Sequence, residues 1–99
     1  MNNSPRTITV EVWFLDGARN LPPYGTVYRP HFVIDGTDDY MSGIQFENLP
    51  NRPFGTHIKC RAQLIYESLS VDYSRFSLGT KFDIREGSHT VGKGIVVND

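Results

Sequence analysis

Cysteine is nearly missing from this chain. Cys60 is the only one among 99 residues, so no internal disulfide can form, which fits a reducing compartment. Charge of one sign is missing too: ten basic and eleven acidic residues leave a formal net charge of −1. Without a net field the chain has no long-range pull on a polyanion, and strong non-specific nucleic-acid binding is not expected. Long apolar runs are absent. Residues 1–6 have no signal-like segment, and nothing later reaches the ~20 apolar residues of a bilayer-spanning helix; the expectation is a soluble, cytoplasmic protein with no membrane partner. No useful segment carries helical periodicity, and no G-x-x-x-x-G-K-[ST] phosphate loop is present, so GTP hydrolysis has no machinery here.

What the chain does contain is alternation. Ile8, Val10, Val12 and Phe14 alternate with Thr9, Glu11 and Trp13 over 7–15, the period of a half-buried strand. Residues 16–25 hold Asp16-Gly17, Asn20 and Pro22-Pro23, which predict a loop. A second strand is predicted over 28–34, with Pro30 at an edge or bulge because it has no N–H. Turn residues over 36–42, a short strand over 43–46 and a loop over 48–55 precede the longest strand, 56–66. There Ile58, Cys60, Ala62, Leu64 and Tyr66 share one side, opposite His57, Lys59, Arg61 and Gln63. Residues 67–79 read as a short strand plus a long connection. The final segment, 82–97, reads as a hairpin turning near Gly87 and Ser88, with Val91, Ile95 and Val97 on the returning strand. Gly92 and Gly94 around Lys93 point to a bulge, a barrel corner or close approach of another backbone. Strands joined by glycine and proline turns make an all-β antiparallel barrel or sandwich. The barrel is preferred, because closure removes exposed edges. One domain over 7–99, preceded by a disordered tail over 1–6, is expected from the length.

The hairpin Ile84-Arg85-Glu86-Gly87-Ser88-His89-Thr90-Val91-Gly92-Lys93-Gly94-Ile95-Val96 resembles the closing hairpin of the third domain of elongation factor Tu, Ile-Arg-Glu-Gly-Gly-Arg-Thr-Val-Gly-Ala-Gly-Val-Val. Glu11 to Leu15 is similar to that family's Glu-Val-Tyr-Ile-Leu, Tyr28-Arg29-Pro30-His31-Phe32 to its Tyr-Arg-Pro-Gln-Phe, and Thr37-Asp38 to its Thr-Asp; order and spacing agree from Thr7 to Val97. The resemblance implies a six-stranded antiparallel closed β-barrel. It also implies surfaces that, in the family, pack on a GTPase domain, touch the T stem of aminoacyl-tRNA and help bind the exchange factor Ts.

Carried over residue by residue, the resemblance implies RNA-backbone contacts from Glu86, His31, Arg85, Lys93 and Ser42. Glu86 matches the family glutamate, and a carboxylate accepts from a ribose 2′-OH. His31 replaces a tRNA-facing glutamine, and imidazole still donates. Ser42 sits in a loop longer than the family's, His89 replaces an arginine, and Lys93 replaces an alanine. Read without the resemblance, Arg85 and Glu86 are a solvated pair beside a turn and the glycines serve barrel geometry. Cys60, within an apolar alternation, reads as a small buried hydrophobe, and no histidine has a neighbour at metal-ligand spacing, so neither catalytic residue, metal nor cofactor is expected. The functional expectation is a non-catalytic module that binds a protein, a translation GTPase or a regulator recognising factor Tu, with Trp13, Tyr24, Tyr40 or Phe54 left exposed if a packing face is reused. The alternative is weak binding of tRNA backbone through about three phosphate contacts.

Overall fold

Apolar alternation translates directly into strands. The computed structural model describes residues 6–38, 40–41, 43–65 and 75–98. They form β1 (Arg6–Phe14), β2 (His31–Ile34), β3 (Tyr40–Met41), β4 (Ile44–Phe46), β5 (Ile58–Leu64), β6 (Lys81–Glu86) and β7 (His89–Asn98). Every pairing is antiparallel, in the order β3-β2-β6-β7-β1-β5-β4. The outermost strands, β3 and β4, are separated in sequence by only residues 42 and 43. From Met41 to Ile44 the chain can span at most about 11 Å, whereas seven flat strands would set the edges about 29 Å apart. The sheet therefore curls until its edges meet, as a nearly closed barrel.

Among the described residues seven strands stand where six were expected. The difference lies at Gly43, whose φ of 77° turns the chain between Met41 and Ile44, both buried. One side of that corner pairs with β2 and the other with β5, giving two short strands where a turn and one strand were predicted. β2 also starts later than predicted, at His31, because Pro30 offers no donor to a ladder. Arg6, assigned to the tail by sequence, is already paired with Leu64. Tyr66 and the predicted short strand within 67–79 lie almost wholly outside the described residues.

Ile8, Val10, Val12 and Phe14 of β1 face a core completed by Phe32, Phe46, Ile58, Leu64, Phe76, Phe82, Ile84 and Val96. Phe32 stacks on Phe82 at 4.1 Å between centroids, and Phe76 meets both edge-on at 5.8 and 5.9 Å. Each such pair is worth roughly 0.5–1.5 kcal/mol beyond the area it buries.

The glycines of β7 belong to this core. A Cβ on Gly94 would lie 2.5 Å from Cζ of Phe82, and one on Gly92 would lie 2.8 Å from the Trp13 carbonyl and 2.9 Å from Phe14. Aromatic rings of neighbouring strands thus fill the space that a side chain on β7 would take. Val91 is an extra residue between the Arg85–Thr90 and Ile84–Gly92 pairs, a bulge that leaves Val91 and Gly92 both buried. It also reverses the expected alternation downstream: Val96 is buried, while Ile95 and Val97 are only half-buried.

Candidate functional site

Two segments distant in sequence meet at one rim of the barrel. The hairpin turn after Glu86 is made by Gly87, with φ 63°, and Ser88, and it carries Glu86 against the loop that joins β1 to β2. Tyr28 donates its hydroxyl to Glu86 Oε2 at 2.6 Å. Arg19 Nε pairs with the same oxygen at 2.7 Å, and its guanidinium lies 5.4 Å from the Tyr28 ring centre. Burial, reinforced by the bond to Glu86, pushes the Tyr28 phenol far above its ordinary value, so it is a hydroxyl at any physiological pH. Its ring stacks on Phe46 at 6.0 Å and meets Phe14 edge-on at 6.1 Å, sealing this end of the core.

The same loop is pinned elsewhere. Arg19 Nη1 donates to the Leu21 carbonyl at 2.7 Å, and His89 Nε2 lies 2.9 Å from the Ala18 carbonyl, placed to donate to it. Gly25 and Leu49 exchange two backbone hydrogen bonds of 2.8 and 3.0 Å, while Gln45 donates to the Thr26 carbonyl at 2.6 Å. Pro22 and Pro23 fix two further φ angles. The held loop nevertheless turns apolar side chains outward: Leu21 is 71% exposed, Tyr24 61% and Val27 84%. A shallow groove of about 370 Å³ runs along Leu21, Pro23, Tyr24, Val27 and Tyr28.

Four of the five residues singled out for RNA contact, Glu86, His31, Arg85 and Lys93, lie on β6, β7 and the start of β2. Glu86 spends one carboxylate oxygen on Tyr28 and Arg19. His31 and Arg85 are cross-strand partners. Tyr40 covers both, 5.6 Å from the His31 ring and 5.8 Å from the Arg85 guanidinium, and donates its own hydroxyl to the Gly87 carbonyl at 3.0 Å. His31 Nδ1 and Arg85 Nε are closed off from solvent with no hydrogen-bond partner among the described residues. Arg85 Nη2 lies 3.7 Å from Asp83, and Lys93 Nζ lies 2.9 Å from the same carboxylate. Ser42 lies outside the described residues.

Of the aromatics expected to be exposed, Tyr24 and Tyr40 are, whereas Phe54 packs against the core and Trp13 is half-buried. Trp13 lies flat on His57, with centroids 4.3 Å apart and planes 4° from parallel, and His57 Nδ1 sits 2.9 Å from Glu11 Oε2. Register explains the stack: Val12 pairs with Ile58, so the next outward positions on the two strands are Trp13 and His57. Cys60, expected to be buried, is only half-buried against the core, and that burial pushes its thiol up to about 12. Among the described residues no three histidine, cysteine or acidic side chains converge as a metal site would require.

Sequence reasoning identified a loop over 16–25 but not Leu21, nor Val27 just beyond it, as the exposed face of the β1–β2 connection. Proline-rich composition marked the loop; only the tethering shows which side chains it presents. No protein-family model matches the chain.

Proposed function

We propose that this chain is a non-catalytic docking module that meets another protein through the β1–β2 loop, with Leu21, Tyr24 and Val27 as the contact. The observation that carries the reading is the combination of exposure and tethering. Single exposed apolar residues are ordinary, but three on one loop, held by side-chain and backbone bonds to β4, the β6–β7 hairpin and residue 49, form a surface already ordered before binding. Such a surface loses little conformational freedom on association. Truncating or charging its apolar members should then weaken binding directly.

In this reading the barrel is of the kind found as the third domain of elongation factor Tu, and the partner is a translation GTPase or the exchange factor Ts. Support comes from where the resembling segments lie: Tyr28 of the Tyr-Arg-Pro motif bonds Glu86 of the Arg-Glu-Gly motif, and Arg85 pairs with His31. Contact with tRNA backbone has less support. Lys93 is held by Asp83, and Glu86 by two side chains of its own fold, so an RNA partner would have to displace them.

Surface plasmon resonance against immobilised, purified factor Ts and against the isolated GTPase domain of factor Tu tests the proposal. Saturable binding to either, weakened at least about tenfold by Leu21→Asp with Val27→Asp, is the expected result, since each side chain buried is worth about 1.5–3 kcal/mol. No binding to either protein, or binding indifferent to the double substitution, overturns it.

A further inference from the structure

A second site lies on the outer face of the barrel, away from the loop. Outward positions of neighbouring strands form rows, and one row runs from Asp83 through Lys93 to Trp13. The row beside it runs from Lys81 to Ile95 and Glu11, with Asp35 bonded through its N–H to the Lys81 carbonyl at 2.9 Å. Between the rows is a pocket of about 190 Å³ lined by Trp13, Phe82, Gly94 and Ile95. His57 stacks on Trp13 at 4.3 Å and is not among the residues lining the pocket, which apart from Trp13 and Asp35 come from β6 and β7, so the stack steadies the indole as one wall.

The charges around this pocket are unequal in their engagement. Asp83 is matched by Lys93 at 2.9 Å and by Arg85 at 3.7 Å. Lys81 and Asp35, both exposed and both lining the pocket, form no ion pair with each other or with any other described residue. One lysine and one aspartate with no ion-pair partner among the described residues therefore line a small, mostly apolar slot. An apolar cavity of about 150 Å³ holds a benzene ring, so the space here takes one ring and little more, which is too small for a nucleotide.

We propose that this pocket binds a small zwitterion bearing one ring, of the class of a free aromatic α-amino acid. The ring lies against Trp13 and Ile95, the carboxylate faces Lys81, and the ammonium faces Asp35. This site shares no residue with the docking loop, and it stands or falls independently of it.

Trp13 is the only tryptophan and lines this pocket, so its fluorescence is a single-site probe of binding there. Titration of the full chain with L-phenylalanine, which does not absorb at tryptophan-selective wavelengths, is expected to give a saturable change in the millimolar range. 3-Phenylpropionate and 2-phenylethylamine, each lacking one charge, bind about twofold to fivefold more weakly, the range of exposed ion pairs. Lys81→Gln and Asp35→Asn, both on the surface, lower L-phenylalanine affinity by the same factor. A response that stays linear to the solubility limit, equal binding of all three compounds, or wild-type affinity in both variants overturns the proposal.

Discussion

Replacing Glu86 by alanine removes the one oxygen on which Tyr28 and Arg19 converge. A hydrogen bond to a charged group contributes about 1.5–3 kcal/mol, and the half-buried position of Tyr28 allows partial rehydration, which favours the lower end. The Arg19–Glu86 pair, with side chains 28% and 36% exposed, adds about 0.2–1 kcal/mol. Together the substitution should cost about 2 kcal/mol. In a domain of this length each kcal/mol moves the melting temperature by about 4–8 °C, so a fall of about 8–16 °C is expected. Glu86→Gln keeps an acceptor and loses only the charge, and should fall about half as far. The assay is calorimetry with denaturant titration on wild type, Glu86→Ala, Tyr28→Phe and the double variant. A loss below about 0.5 kcal/mol for Glu86→Ala, the size of an ordinary surface change, refutes the clamp. So do single losses that add within about 0.3–0.5 kcal/mol, because residues in real contact couple.

Gly94→Ala should destabilise by about 1–3 kcal/mol, as overpacking does, since its Cβ would press on a Phe82 ring that Phe32 and Phe76 hold in place; adding Phe82→Leu should recover part of the loss in the same melting assay. Stability should decline as pH rises above about 10: the fold keeps Tyr28 protonated while the unfolded chain titrates there, for a slope of up to about 1.4 kcal/mol per pH unit. Tyr28→Phe should remove that share of the slope in alkaline denaturation curves. Cys60, pushed up to about 12 in the fold, should react with a thiol reagent at pH 8 on the order of 10²- to 10³-fold more slowly in native than in denatured protein, because the thiolate is the reacting species.

The parts of the fold that follow from local pattern were legible in the sequence. β1 and β5 obey a strict period of two, and their buried faces fall on Ile8, Val10, Val12 and Phe14 and on Ile58, Ala62 and Leu64 as the alternation requires. The hairpin turn at Gly87 was likewise legible, because a two-residue connection with a left-handed residue selects glycine. The faces of Ile95 and Val97 were not, since the extra residue Val91 shifts the alternation and a bulge leaves no local mark beyond the glycines beside it. β3 escaped for a related reason: two residues carry no period, and the two-residue break before Ile44, with Gly43 at positive φ, reads as part of a turn.

The functional face was harder still. Tyr28 and Glu86 are 58 residues apart, and Trp13 meets His57 only through the register of β1 on β5. These contacts are products of barrel closure. Nothing in the run from Asp16 to Thr26 says which apolar side chains will be turned outward; that depends on Arg19, Ala18, Gly25 and Thr26 being caught by Glu86, His89, Leu49 and Gln45, four residues from two distant parts of the chain.

The claim at the centre of this account is that the apolar β1–β2 loop is ordered in the free protein, ready to bind. Backbone ¹⁵N relaxation tests it most directly: order parameters for residues 18–27, prolines aside, should lie near the ~0.85 of rigid backbone, in line with β1 and β7. Values below about 0.6 across Leu21, Tyr24 and Val27 would make the loop a flexible connection, and would contradict the account.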